Sequence, residues 1–101
     1  MNGVNFMFYP FLSLSDGTEI VYSDLKQKDI KNYVIVKFER WNEKRDDFDS
    51  MECELPNGNM KKIIGFTDEE VKHYHKKMIH LQDMILECSK EDTEMELCKR
   101  I

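Results

Sequence analysis

From Val71 onward, apolar side chains return at alternating steps of three and four: Val71, Tyr74, Met78, Leu81, Ile85 and Cys88. That spacing sets them on one stripe of a helix. Just before it, Thr67 is followed by Asp68, Glu69 and Glu70. The Thr67 hydroxyl is placed to cap the Glu70 amide while Glu70 reaches back, and the acids suit the positive end of the helix dipole. A helix over 67–89 is predicted, about 23 residues and roughly 34 Å long at 1.5 Å per residue.

A period of two governs the residues before it. Over 33–41, Val34, Val36 and Phe38 point one way while Ile35, Lys37 and Glu39 point the other; over 48–55, Met51, Cys53 and Leu55 oppose Ser50, Glu52 and Glu54. The polar link 42–47 joins the two as a hairpin, and one register satisfies both patterns. Phe38 then faces Met51, Val36 faces Cys53 and Val34 faces Leu55 on the core side. On the other side Trp41 meets Phe48 and Lys37 meets Glu52. A slip of one residue buries the carboxylates, so the register is firmly set.

Residues 6–14 are aromatic-rich and read as a strand, with Pro10 marking an edge or a bulge. Ser15-Asp16-Gly17-Thr18 is a tight turn leading into a second strand over 19–22. Residues 23–31 are polar and read as a loop or a single helical turn. Pro56-Asn57-Gly58-Asn59 is another turn, and 60–66 adds a short last strand. The expected fold is α+β: a mainly antiparallel sheet of four to five strands packed by one long C-terminal helix, forming a single domain over 1–89. The charged tail 90–101 falls outside it, as one weak amphipathic turn through Met95, Cys98 and Ile101 or as a disordered segment.

Composition narrows the class. The chain has 101 residues, 41% hydrophobic and 35% charged, as expected of one soluble domain, and its net charge of −5 disfavours general affinity for a phosphate backbone. Cys53, Cys88 and Cys98 are odd in number and lack CxxC spacing, which points to reduced thiols and a cytoplasmic location. Residues 1–14 are apolar but have no basic start, so neither a signal peptide nor a membrane span is expected.

The run Pro10-Phe11-Leu12-Ser13-Leu14-Ser15-Asp16-Gly17-Thr18-Glu19-Ile20-Val21-Tyr22-Ser23 resembles the opening of a group of small, uncharacterised bacterial proteins. Phe48-Asp49-Ser50-Met51-Glu52-Cys53-Glu54-Leu55-Pro56 and Gly65-Phe66-Thr67 are similar to the same group. The resemblance covers 10–89. It implies a bacterial, intracellular origin and carries no activity and no site residues.

Candidate chemistry is sparse. His73 and His80 share a helix face but lie about 10 Å apart along the axis, too far for one metal ion, and His73 and His75 diverge by about 200°. Lys72, Lys76 and Lys77, with Lys61 and Lys62, form a basic concentration without interleaved aromatics, so nucleic-acid binding is not expected. Asp46, Asp47, Asp49, Glu52 and Glu54 read as solvated acids rather than an acid–base pair. Cys53 and Cys88 fall on core faces as small apolar residues. No catalytic residue, metal ligand or cofactor follows, and an enzyme is not expected.

The surplus is apolar. Met78, Ile79, Leu81, Met84, Ile85, Leu86 and Cys88 cover well over half the helix circumference, whereas one sheet needs a stripe about 100° wide. Either the N-terminal hairpin or the tail folds over Ile79 and Leu86, or that flank packs on a second subunit or a partner. The function expected is a protein-binding or regulatory module that self-associates through Ile79, Met84 and Leu86, with Trp41 and Phe48 as a second contact surface. The alternative is an acidic inhibitor, antitoxin-like, that captures a basic or nucleic-acid-binding partner through the acid-rich residues 43–54.

Overall fold

The computed structural model describes residues 6–99, with side chains through Glu96. Among the described residues six strands precede one helix: β1 (Phe8–Ser13), β2 (Glu19–Ser23), β3 (Lys26–Lys28), β4 (Lys31–Asn42), β5 (Asp47–Leu55), β6 (Asn59–Ile64) and α1 (Asp68–Lys99). Every strand pair is antiparallel, in the order β1-β2-β4-β5-β6, with β3 also paired to β4. The fold is α+β, with α1 packed on one face of the sheet.

The expected β4–β5 register is the one observed. Val34 pairs with Leu55, Val36 with Cys53, Phe38 with Met51, Lys37 with Glu52 and Trp41 with Phe48. The inner row meets the helix stripe, and Tyr74, Met78 and Ile85 are buried against it with Val71, Leu81 and Cys88 at its margins. Burial of each large stripe residue contributes about 2 kcal/mol. The helix begins as expected: the Glu70 amide donates to Thr67 Oγ1 at 3.1 Å, and the Thr67 amide donates to Glu70 Oε1 at 2.9 Å. Pro10 lies on the edge strand β1, beside a bulge between Pro10 and Leu12.

Three expectations are corrected. The sheet has six strands rather than four or five, because residues 26–28 form β3 instead of a loop or helical turn. β4 spans 12 residues, so its one edge accommodates β2 and β3 in tandem, with the chain broken only at Asp24-Leu25. Nothing in the polar composition of 23–31 marks this; a long neighbour supplies the partners.

Secondly, the helix does not stop at Ser89 but runs to Lys99, so residues 90–99 belong to it; Ile101 and the side chain of Cys98 lie outside what the structure describes. The sheet-facing stripe continues past Cys88 but turns polar. Ser89 Oγ donates to the Ser23 carbonyl at 2.6 Å, the Leu25 amide donates to Thr93 Oγ1 at 2.8 Å, and Tyr22 donates its hydroxyl to Asp92. Ser23 Oγ in turn accepts the Ile35 amide at 2.9 Å. These bonds anchor the helix over the β2–β3 break.

Thirdly, Asp49 is not solvated. It shares the inner face with Met51, is 1% exposed, and stands opposite Arg40 in the ladder. Arg40 Nε donates to Asp49 Oδ2 at 2.7 Å, its Nη atoms fork onto Glu70, and Nη2 also reaches the Gly65 carbonyl at 3.2 Å. Asn42 donates to the other Asp49 oxygen at 3.1 Å, and the guanidinium stacks 4.2 Å from the Phe66 ring centre. Gly65 fits because a Cβ there would lie 1.9 Å from Asp49 Oδ1, and its φ is +84°. This clamp ties the helix N-terminus to the sheet.

Hydrogen bonds from Arg40 hold the Glu70 carboxyl down at about 2, against its burial and with help from the Thr67 amide. Burial pushes Asp49 up, but hydrogen bonds from Arg40 and Asn42 and the charges of Arg40 and Arg45 leave it below its ordinary value. Both folded values are depressed, so their stabilisation is complete at neutral pH and drains away as the pH falls through about 4 toward 2. Thermal midpoints are expected to drop over that window. Arg40→Met should lower stability at pH 7 by about 3 kcal/mol and flatten the dependence; an equally steep acid slope in the variant would refute the clamp's role. Deleting residues 90–101 should cost about 2 kcal/mol in urea denaturation through the lost Asp92 and Thr93 bonds. An unchanged midpoint would show those bonds to be idle.

Candidate interaction surface on the outer sheet face

Because α1 covers only the inner face, no described helix lies on the other side of the sheet, and register fixes what it presents. Rows run across it: Ile35 opposite Glu54, then Lys37–Glu52–Lys61, then Glu39–Ser50–Ile64, then Trp41–Phe48. The last two rows end in apolar groups. Trp41 and Phe48 meet edge to face at 5.2 Å and are 51% and 49% exposed; Ile64, one diagonal step away, is 50% exposed. Both aromatics expected to form a contact surface are thus brought together, and Ile64 joins them unforeseen. The register of the last strand, which carries a bulge at Lys62 (φ 55°), is what places it there.

The opposite end of the same face is a cleft of about 790 Å³. Ile35 lies at this end and is buried. Phe6 and Tyr33 line it edge to face at 6.4 Å, and Lys28 and Lys31 enter from the β3–β4 hairpin. From the other side come Glu52, Glu54, Lys61 and Lys62. Glu54 pairs with Lys61 at 3.2 Å, and Glu52 lies 3.8 Å from Lys62. Burial raises the Glu54 carboxyl, but Asn57 and Lys61 outweigh it and hold it below its ordinary value. Sequence reasoning missed this group because its members lie on separate strands; the ladder registers alone connect them.

The helix surface differs from expectation. Ile79 and Leu86 are half-buried and pack against the core. Ile79 nestles on the 56–59 turn, where a Cβ on Gly58 would come 2.7 Å from Ile79 Cδ1. Met84 remains 53% exposed, but at 100° per residue it points about 160° away from Leu86. The three therefore do not form one patch.

The histidines are exposed: His73 meets Tyr74 edge to face, and His75 lies over Gly58. Lys72, Lys76 and Lys77 are exposed on the same helix. Of the acids in 43–54, Asp49 is consumed by Arg40, Glu54 pairs with Lys61 and Glu52 faces Lys62, while Asp46 and Asp47 stay exposed. Cys53 is buried, and burial raises its thiol to about 11; Cys88 is half-buried. Among the described residues no group of three or more His, Cys, Asp or Glu is placed to hold a metal ion, and no helix is long and apolar enough to cross a membrane.

Compared with models of known protein families, with curated proteins and with solved structures, the chain matches none of them.

Proposed function

We propose that the protein is a small binding module without catalytic activity, whose first partner is a second copy of itself joined through the Trp41–Phe48–Ile64 end of the outer sheet face. The supporting observation is the contiguity of these three half-exposed side chains at an end of the face that no other described element covers. Tryptophan and other aromatics are enriched in protein contact surfaces, where large rigid rings exclude water at small entropic cost. A second copy suits the face because the neighbouring row alternates in sign, Lys37–Glu52–Lys61. A two-fold axis can set lysine against glutamate in both directions. This moves the contact from the helix flank, where Ile79 and Leu86 already serve the core.

Capture of a basic partner by the 43–54 segment draws less support. Asp49 is buried against Arg40 and Glu52 and Glu54 face lysines, and the remaining exposed acids, Glu43, Asp46 and Asp47, are interspersed with Lys44 and Arg45.

Trp41 is the sole tryptophan, so its fluorescence reports the contact directly. Raising the protein concentration should shift its emission to the blue in step with dimerisation in sedimentation velocity. Trp41→Glu with Phe48→Glu should yield a monomer at every concentration, whereas Met84→Glu should leave the equilibrium in place. A wild-type chain that stays monomeric at roughly millimolar concentration, beyond the affinity of weak specific contacts, would remove the proposal.

A further inference from the structure

We infer that the cleft at the far end of the outer face binds a small phosphomonoester carrying a planar ring, the chemical class of a nucleoside monophosphate. Its volume of about 790 Å³ lies within the roughly 300–1,000 Å³ of small-molecule sites. The decisive feature is Lys28 opposite Lys31, directly paired in the β3–β4 ladder across the Asp29-Ile30 turn. Like charges so placed repel and cost stability. Among the described residues neither ammonium has a carboxylate within 4.0 Å, and Lys28 acts on Glu54 only through space. The other two lysines of the cleft face their own acids, Lys61 with Glu54 and Lys62 with Glu52. Two ammonium groups without an ion pair therefore stand at one wall, against the single Asp29 carboxylate that lines the cleft between them, and a phosphate monoester carries about −1.5 to −2 at neutral pH.

The rest of the lining suits the remainder of such a molecule. Phe6 and Tyr33 offer aromatic surfaces for a ring beside the apolar Ile35, and every nucleobase has a face that stacks on an aromatic. Asn32 adds polar lining at the same wall. Glu52 and Glu54 on the opposite wall and the net charge of −5 disfavour a longer polyanion. A single dianionic group at the β3–β4 wall meets two lysines and one carboxylate, Asp29. This site is independent of the Trp41 row: Tyr33 and Trp41 are eight positions apart on β4, about 27 Å at strand spacing.

Isothermal titration of the full chain at low salt with AMP, adenosine and inorganic phosphate tests the assignment. AMP should bind saturably, with adenosine and phosphate each weaker by about tenfold or more. Lys28→Gln with Lys31→Gln should weaken AMP by a similar factor, and Tyr33→Leu should weaken AMP without strengthening phosphate. Amide shifts on adding AMP to the unaltered chain should centre on Tyr33 and Ile35, which keeps the test valid should a variant fold poorly. The proposal is overturned by no AMP binding at millimolar concentration, by phosphate binding as tightly as AMP, by undiminished affinity in a folded double-lysine variant, or by shifts centred elsewhere.

Discussion

The pairing of β4 with β5 is the constraint from which the rest of the molecule follows. Its register runs unbroken from Val34 opposite Leu55 to Asn42 opposite Asp47. On one side it assembles the apolar bed on which the helix lies; on the other it sets tryptophan against phenylalanine and lysine against glutamate. A one-residue displacement of β5 would exchange its faces, burying Glu52 and Glu54 and exposing Met51, Cys53 and Leu55. The same pairing brings Arg40 opposite Asp49, so the ionic clamp at the helix start is a consequence of sheet register as much as of the helix.

Three kinds of chemistry act in sequence along α1, and each answers a different need. Apolar burial of Tyr74, Met78 and Ile85 supplies attraction but little directional information, because such contacts tolerate sliding. The ends supply direction. Arg40 fixes the first turn through Glu70, and Ser89 and Thr93 fix the later turns through the Ser23 carbonyl and the Leu25 amide. A rod of 32 residues, about 48 Å at 1.5 Å per residue, is thereby held in both rotation and translation. It also matches the molecule's longest dimension of 46 Å.

What was legible in the sequence was whatever periodicity or capping chemistry encodes locally. Thr67 with Glu70, the Asp16-Gly17 turn, the alternation through Val34–Phe38 and Met51–Leu55, and Pro10 beside a bulge all express local physics. What escaped was decided at a distance. β3 has no apolar alternation of its own and exists because β4 is long enough to pair with it. The last turns of α1 keep the sheet-facing spacing through Ser89, Asp92 and Thr93, yet with polar groups that a search for apolar periodicity passes over. Asp49 looked solvated because it stands in a run of acids, although its parity with Met51 and Cys53 already put it on the inner face. The cleft was illegible for a plainer reason: Lys28, Tyr33, Glu54 and Lys61 meet only once three ladders are in register.

Covering one sheet face with one helix leaves the question of how the bare face and the two strand edges avoid indiscriminate pairing. The edges are blunted. β1 carries Pro10, which has no amide to donate, and a bulge beside it; β6 carries a bulge where Lys62 adopts a left-handed backbone. The outer face is crossed by the Lys37–Glu52–Lys61 row, whose Glu52 and Lys61 border the cleft and set it off from the aromatic end. With the edges blunted, contact by strand addition is disfavoured and contact through the face is left. On the face, the charged row confines close approach to partners whose own charges match it. The two ends consequently differ in shape and chemistry, flat and apolar at Trp41 and concave and charged at Tyr33, and the separation is imposed by strand register.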